Sequence, residues 1–190
     1  MARNRRIWNP AFFDHVVTRG NNRQDLFKDS TDINAFFRIL DYTYERHPFT
    51  ILAYCIMTNH YHLLIRSPEV PLGNVMAIIN KRYSEYHKKR YNYSGALYES
   101  RYFAEMAVTP KSLLAVSRYI HRNPIETTIP MVDKMELYPY SSYSFYVQGK
   151  TPQYEFLDFG QLPLLLPAPY SKTAQDYLRY CEKEDYESLD

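Results

Sequence analysis

Two apolar segments separated by a short polar turn constrain the fold of this chain more than any other feature. Residues 51–57 are almost entirely apolar, and after two polar residues a second apolar segment runs from His60 to Ile65. So close a pair of strand-length segments predicts an antiparallel hairpin. Alternate side chains of a strand share a face, so His60 and His62 should lie side by side, about 7 Å apart at Cα. Two imidazoles at this spacing can bind one metal ion, although two solvent-facing histidines would show the same pattern.

Further strands and helices follow from the spacing of apolar residues and from capping signals. Apolar side chains recur every three to four residues in two segments, and Thr109-Pro110 is a typical helix start. We predict strands at 12–18, 50–57, 60–66 and 101–108, and helices at 30–46, 72–90 and 110–123. The order β-α-β-β-α-β-α predicts an α+β fold, with helices packed on an antiparallel sheet of four to five strands.

The amino-acid composition of the chain changes near residue 148. The 190 residues are enough for one domain, which we place at 1–147. Four prolines then interrupt the segment that follows, and Glu182–Asp190 is strongly acidic. We therefore interpret 148–190 as a proline-containing linker and an acidic tail. A solvated tail is the favoured interpretation, and a tail that covers the active site is the alternative.

Charge is distributed unevenly and favours a polyanionic partner. Residues 1–125 carry 18 basic and 10 acidic side chains, whereas residues 126–190 carry 5 and 11. A basic body suits a phosphate backbone, although a solvated charged surface is the ordinary alternative. Two isolated cysteines and the absence of an apolar leader or membrane span predict a cytoplasmic protein with reduced thiols.

The last predicted helix carries a second candidate motif. Tyr119 and Asn123 are four residues apart and should share one helical face, while Leu113, Val116 and Ile120 would form the buried stripe. A tyrosine beside an amide could supply a nucleophile and a metal ligand together. Taken alone, the pair is better explained by structure, with Tyr119 as a cover residue of an amphipathic helix and Asn123 as a polar group at its C-terminal end.

Together the two motifs resemble the single-tyrosine HUH transposases, and in particular the REP-associated tyrosine transposases. Five blocks occur in the order found in that family: 15–24, 57–64, 95–102, 118–125 and 138–143. The resemblance extends over residues 8–146. It implies the ferredoxin-like, RRM-like HUH endonuclease fold, with the histidine pair on a central strand.

The resemblance also implies a mechanism and a cofactor. His60, His62 and Asn123 would bind Mg²⁺ or Mn²⁺. Tyr119 would attack one strand of DNA next to a hairpin, which leaves a 5′-phosphotyrosine and a free 3′-OH. Single-stranded or hairpin DNA is the implied partner. No residue of the sequence identifies the base that activates Tyr119, and a monomer or a homodimer fits equally well.

Several cations are candidate contacts to that DNA: Arg3, Arg5, Arg6, Arg19, Arg23, Lys81, Arg82, Lys88, Lys89 and Arg90. Two other functions fit the same residues. One is a domesticated protein that binds DNA hairpins without turnover. The other is a metal-dependent hydrolase that activates water at His60 and His62, and it ranks last because no carboxylate base stands next to the pair.

Overall fold

A computed structural model describes residues 7–183 of the chain. At its centre is an antiparallel sheet with the strand order β2-β3-β1-β4. The strands are β1 (Phe13–Arg19), β2 (Thr50–Ile56), β3 (His60–Arg66) and β4 (Phe103–Ala107). The predicted hairpin is therefore formed by β2 and β3, and β3 is a central strand. The predicted α+β fold with its antiparallel sheet is confirmed.

Three helices cover the two faces of this sheet. They are α1 (Ser30–Tyr44), α2 (Leu72–Tyr91) and α3 (Pro110–Arg122), close to the predicted bounds. At the start of α3 the side chain of Thr109 accepts a hydrogen bond from the backbone N–H of Ser112, and proline takes the first helical position. Within residues 7–183, no helix combines the length and the apolar character needed to cross a membrane.

Alternation along β3 decides which side chains meet which helices. Tyr61 is buried beneath α1 and α2, where its ring lies 4.8 Å from the ring of Phe36. Its hydroxyl donates a hydrogen bond to the side chain of Asn80 on α2 at 2.6 Å. His60 and His62 point to the opposite face, which α3 covers. The sheet therefore separates an aromatic core from the face that carries the histidines.

The segment after residue 148 differs from the predicted linker. Three short helices lie in the C-terminal part: α4 (Tyr143–Gln148), α5 (Gln161–Leu164) and α6 (Ala174–Glu182). Phe156, Leu162 and Tyr177 are at most 1% exposed. The prolines interrupt regular structure, but the apolar side chains between them still bury against the core. The boundary at residue 147 stays a prediction, and the acidic residues 184–190 lie outside the described part of the chain.

The C-terminal segment also covers the outer edge of the sheet. The backbone N–H of Ile51 donates to the carbonyl of Phe156 at 2.7 Å, and Asp158 N–H donates back to the Ile51 carbonyl at 3.0 Å. Further along β2, Ile56 N–H donates to the carbonyl of Tyr140 at 2.9 Å. These hydrogen bonds pair groups that an edge strand would otherwise leave free. The same segment then continues to the back of α3.

Candidate active site

His60 and His62 lie side by side on β3, as the strand alternation predicts. Their ring centroids are 4.9 Å apart and the two ring planes are nearly perpendicular, at 80°. His62 is almost fully buried, while His60 is partly exposed. Burial lowers the pKa of both imidazoles, and for His62 the lowering is large. Both rings are therefore neutral at neutral pH, which is the state that binds a metal ion.

The side chain of Asn123 contacts His60 of the histidine pair. It occupies the C-cap of α3, and its side-chain oxygen Oδ1 lies 3.2 Å from Nε2 of His60. Two adjacent ligands of an octahedral Mg²⁺ stand about 3 Å apart, so this separation fits a shared ion. The other ring nitrogen of His60, Nδ1, lies 2.6 Å from Oδ1 of Asn59. If Nδ1 donates to that oxygen, Nε2 keeps a free lone pair.

Tyr119 lies over the same place, one helical turn before Asn123. Its ring centroid is 5.6 Å from that of His62, and the two rings meet edge to face. The side chain is 41% exposed although its helix packs on the sheet. It lines a cleft of about 570 Å³ together with His62 and Val116. A phosphate of a DNA strand that enters this cleft could reach both the tyrosine and the histidines.

His15 belongs to the same cluster, and it was not among the candidates predicted from the sequence. It lies on β1, and its Nε2 is 3.0 Å from Nδ1 of His62. Its ring centroid is 5.7 Å from that of Tyr119. The register of β1 and β3 pairs Val17 with His62, so His15 stands diagonally across from His62 on the same face. Burial lowers the pKa of His15 to about 4.

A sequence signal for His15 exists, but it is weak. In the predicted strand 12–18, only the parity of the position shows that His15 and Val17 share a face. Which strand pairs with β1, and in which register, is a long-range property that the spacing of apolar residues does not contain. The sequence therefore shows that His15 is in a strand but not that it faces His62.

Two arginines are at the cleft. Arg19 ends β1 opposite His60, lines the cleft and contributes to the lowering of both histidine pKa values. Arg101, which the sequence analysis did not single out, lines the cleft as well and precedes β4. Arg23 lies in the turn after β1, where its carbonyl accepts a hydrogen bond from the Asn59 side chain at 3.4 Å. Arg3, Arg5 and Arg6 lie outside the described residues.

The candidate cations of α2 are not brought to the cleft, because α2 packs on the other face of the sheet. The guanidinium of Arg82 lies over the ring of Tyr42 at 3.5 Å, and Lys81 is 4.0 Å from Glu85. Lys88 and Lys89, near the end of the helix, are not fully buried. These side chains form a separate basic surface on the side of the sheet away from Tyr119.

Arg90 pairs with carboxylates of the protein itself, which its position in the sequence did not predict. It forms ion pairs with Asp29 at 2.6 Å and with the buried Asp32 at 2.5 Å. Tyr86 and Tyr91 donate their hydroxyl hydrogens to the same Asp32 carboxylate. Its charge is offset by two carboxylates, which disfavours the predicted contact between Arg90 and a phosphate.

The candidate metal ligands combine two kinds of donor atom, imidazole nitrogen and amide oxygen. In residues 7–183, no group of three or more His, Cys, Asp or Glu side chains is arranged to hold a metal ion. His60, His62 and Asn123 offer two neutral nitrogens and one amide oxygen instead. His62 Nε2 is buried and has no hydrogen-bond partner among the described residues. An unpaired buried nitrogen on this neutral imidazole is compatible with a bound divalent cation.

Comparison with known proteins identifies the class to which this fold and cleft belong. The family model described as "Transposase IS200 like" matches residues 11–123, a span that contains His15, His60, His62, Tyr119 and Asn123. This is more than half of the chain, so the protein belongs to the IS200-like transposase family.

Individual relatives confirm the resemblance to the REP-associated branch. A protein of Haemophilus influenzae that is named a REP-associated tyrosine transposase is 27% identical over an alignment of 122 positions, and the match covers 58% of this chain and 68% of the relative. The solved structure of a REP-associated tyrosine transposase bound to a REP hairpin superposes with a TM-score of 0.67 at 17% identity. That match covers 84% of this chain and 95% of the other. This second likeness shows the shared fold.

Proposed function

We propose that this protein is a transposase-type endonuclease and strand transferase that cuts single-stranded DNA near hairpins. One observation carries the proposal: Tyr119 lies over His62 while Asn123 touches His60, all within one chain. This arrangement supports a site in which Tyr119 would supply the nucleophile beside the metal ligands His60, His62 and Asn123. Phosphoryl transfer requires both at the same phosphate.

We propose Mg²⁺ or Mn²⁺ as the cofactor. His60, His62 and Asn123 would hold the ion, and when bound it would neutralise the charge that develops on the phosphate oxygens. The three ligands are neutral, so they leave the full charge of the ion for the phosphate. A set of ligands that lacks a carboxylate also binds such hard cations weakly, so we expect the affinity for the metal alone to be modest.

In the proposed reaction Tyr119 supplies the nucleophile. Its oxygen forms a bond to phosphorus, and the bond from phosphorus to the 3′ oxygen breaks. The phenol loses one proton and the departing 3′ oxygen gains one. The products are a 5′-phosphotyrosine and a free 3′-OH, and attack by another 3′-OH rejoins the strand without ATP.

Hairpin DNA is the substrate class that the relatives favour. The solved structural neighbour is a complex with a REP hairpin, and this chain has the same fold. Arg19 and Arg101 line the cleft that contains Tyr119 and could contact phosphates, although Glu99 and Glu105 line the same cleft. We further propose that the protein acts in the cytoplasm, where the buried free thiols of Cys55 and Cys181 stay reduced.

A covalent-trapping assay tests the function. The protein is incubated with Mn²⁺ and with labelled single-stranded hairpin oligonucleotides drawn from the sequence that flanks its gene. We expect a protein–DNA band that resists denaturation. The Tyr119→Phe variant should lose it, because the oxygen that forms the bond is absent. EDTA should also remove it.

The matched control is a gel shift of Tyr119→Phe with the same oligonucleotides. Tyr119 is half exposed, so the variant should fold and bind the hairpin as the parent does. A band that persists in Tyr119→Phe would contradict the proposed nucleophile. Hairpin binding by the parent protein without any covalent band would instead support a hairpin-binding protein without turnover.

A further inference from the structure

His15 and His62 form a direct contact between two imidazoles. The nitrogens Nε2 of His15 and Nδ1 of His62 are 3.0 Å apart, which is a hydrogen-bond distance. The rings are stacked, with centroids 5.2 Å apart and planes that differ by 20°. Both side chains are buried, so water does not compete freely for this bond. One of the two nitrogens must carry the hydrogen.

The choice of donor decides whether His62 can bind a metal ion. A neutral imidazole has one N–H donor and one acceptor nitrogen. If His15 Nε2 donates, the hydrogen of His62 lies on Nε2 and blocks that atom. If His62 Nδ1 donates, Nε2 of His62 keeps its lone pair. Only the second arrangement leaves a ligand for a cation.

We propose that His15 is a positioning residue, which accepts a hydrogen bond from Nδ1 of His62 and thereby presents Nε2 of His62 to the metal ion. This inference rests on the function proposed above. It gives His15 no contact with the ion or with DNA. His15 would instead fix the tautomer and the ring orientation of His62, as partners of metal-bound histidines commonly do.

The environment of His62 Nε2 supports this assignment. That nitrogen is buried and has no hydrogen-bond partner within residues 7–183, whereas Nδ1 of the same ring has His15. A buried N–H that donates to nothing is costly, while a bare nitrogen that faces a cation site has its partner once the ion is bound. The unpaired atom therefore fits a lone pair better than a hydrogen.

The second histidine shows the same division of roles. Nδ1 of His60 lies 2.6 Å from Oδ1 of Asn59, and Nε2 of His60 lies toward Asn123. Each histidine of the pair therefore has a separate partner at Nδ1, which leaves both Nε2 atoms for one ion. Asn59 comes from the turn before β3 and His15 from β1, so two different elements orient the two ligands.

The chemical nature of the partner also suits a site for phosphate. Histidine ligands often donate to a carboxylate, which adds negative charge next to the metal ion. His15 is a neutral acceptor, so its own side chain orients His62 without adding charge, although Glu105 stands opposite it on β4. The ion then keeps its attraction for an anionic DNA strand.

Two variants of His15 test the inference through metal binding, without DNA. His15→Phe keeps a stacked ring but removes the acceptor. His15→Gln places an amide oxygen near the position of Nε2 and retains an acceptor. In a Mn²⁺ titration by calorimetry we expect His15→Phe to bind about 10–100-fold more weakly, as for other partners of metal ligands, and His15→Gln to recover most of the loss.

Nitrogen NMR of histidine-labelled protein adds a readout that a general loss of stability would not change. In the metal-free parent protein, we expect the hydrogen of His62 on Nδ1. In His15→Phe this preference should be lost, while thermal unfolding shows that the variant is folded. A hydrogen on Nε2 in the parent, or equal Mn²⁺ affinity of parent and His15→Phe, would overturn the inference.

His62→Ala separates this inference from the proposed function. If His62→Ala loses Mn²⁺ binding and His15→Phe does not, the metal site stands and only the role of His15 fails. If His62→Ala binds Mn²⁺ as tightly as the parent, the metal site itself is wrong. In that case the role of His15 fails together with it.

Discussion

Several histidines of this protein are buried as neutral rings, and their burial has a cost at low pH. His15 is in the cleft, and His121 is fully buried on the far side of α3. Burial lowers the pKa of His15 to about 4 and that of His121 to about 3, from an ordinary value of 6.5. His121 contacts the hydroxyl of Ser142 at 2.8 Å and that of Tyr177 at 3.2 Å. These bonds satisfy a ring that the fold holds uncharged.

The free energy of unfolding should fall as the pH is lowered through the range of these histidines. Below the ordinary pKa of 6.5 the unfolded chain binds protons that the folded chain does not, until about pH 4 for His15 and about pH 3 for His121. Each histidine then contributes at most about 1.4 kcal/mol per pH unit. Urea unfolding at several pH values between about 7 and 4 measures this dependence.

His121→Gln is the matched control for the pH dependence. Its amide can still form a hydrogen bond with Ser142, but it does not titrate. We expect a shallower decline of stability in this variant than in the parent below pH 6.5, the ordinary pKa of histidine. The carboxylates of Asp and Glu contribute equally to the pH dependence of stability in both proteins. Identical slopes would show that His121 accepts a proton in the folded state.

At the level of single residues, the sequence was sufficient for side chains that share one element. The strand period places His60 beside His62, and the helical period places Tyr119 one turn from Asn123. The structure brings the two pairs into contact, while their chemical roles stay predictions. His15 could not be found in this way, because its neighbour lies on another strand and the register is not encoded locally.

Helix α3 is packed on both sides. One side faces the sheet, and α6 packs against the other, where Tyr177 contacts His121 and lies with its ring centroid 4.6 Å from that of Tyr146. Arg122, the last residue of α3, donates to the carbonyl of Cys181 at 3.1 Å. The C-terminal segment therefore holds the helix that carries Tyr119.

Loss of the Tyr177 ring should destabilise the protein strongly. Tyr177→Ala would leave a cavity at a fully buried position between α3, α4 and α6. We expect the free energy of unfolding to fall by about 3–5 kcal/mol, as for other large aromatic side chains. Tyr177→Phe keeps the ring and removes only the hydroxyl, which lies 3.2 Å from Nδ1 of His121, so it should cost about 1 kcal/mol. Urea unfolding of both variants checks this, and equal values would contradict the packing role.

The elements of the first 123 residues were predictable, whereas the C-terminal segment was not. Long helices such as α2 repeat their apolar pattern over several turns, and proline or capping residues mark their ends. In the C-terminal segment α5 has only four residues, and single side chains such as Phe156 bury without a period. The same packing explains why Ser117 and His121, outside the predicted stripe of α3, are buried.

One copy of the chain contains every side chain of the candidate site. Tyr119 and Asn123 come from α3, and they meet His60 and His62 of the same chain. The sequence left open whether two copies exchange these groups. This geometry favours a site that is complete in a single protomer, whatever the oligomeric state.

A mixing experiment tests this arrangement. Tyr119→Phe lacks the nucleophile and His62→Ala lacks a metal ligand, so each variant alone should be inactive in covalent trapping. Because both groups must come from one chain, their equimolar mixture should also be inactive. The parent protein at the same total concentration is the positive control. A covalent band in the mixture would show that protomers share their active sites.

The double-sided packing of α3 bears on what happens after a cut. A DNA end attached to Tyr119 would be tethered to a helix that the sheet, α6 and the Arg122–Cys181 bond all hold in place. If Tyr119 is the nucleophile as proposed, the tether would not swing toward a new partner without breaking these contacts. The incoming 3′ end must therefore travel to a stationary linkage. The folding of the nucleic acid, rather than a hinge in the protein, would then set which ends are joined.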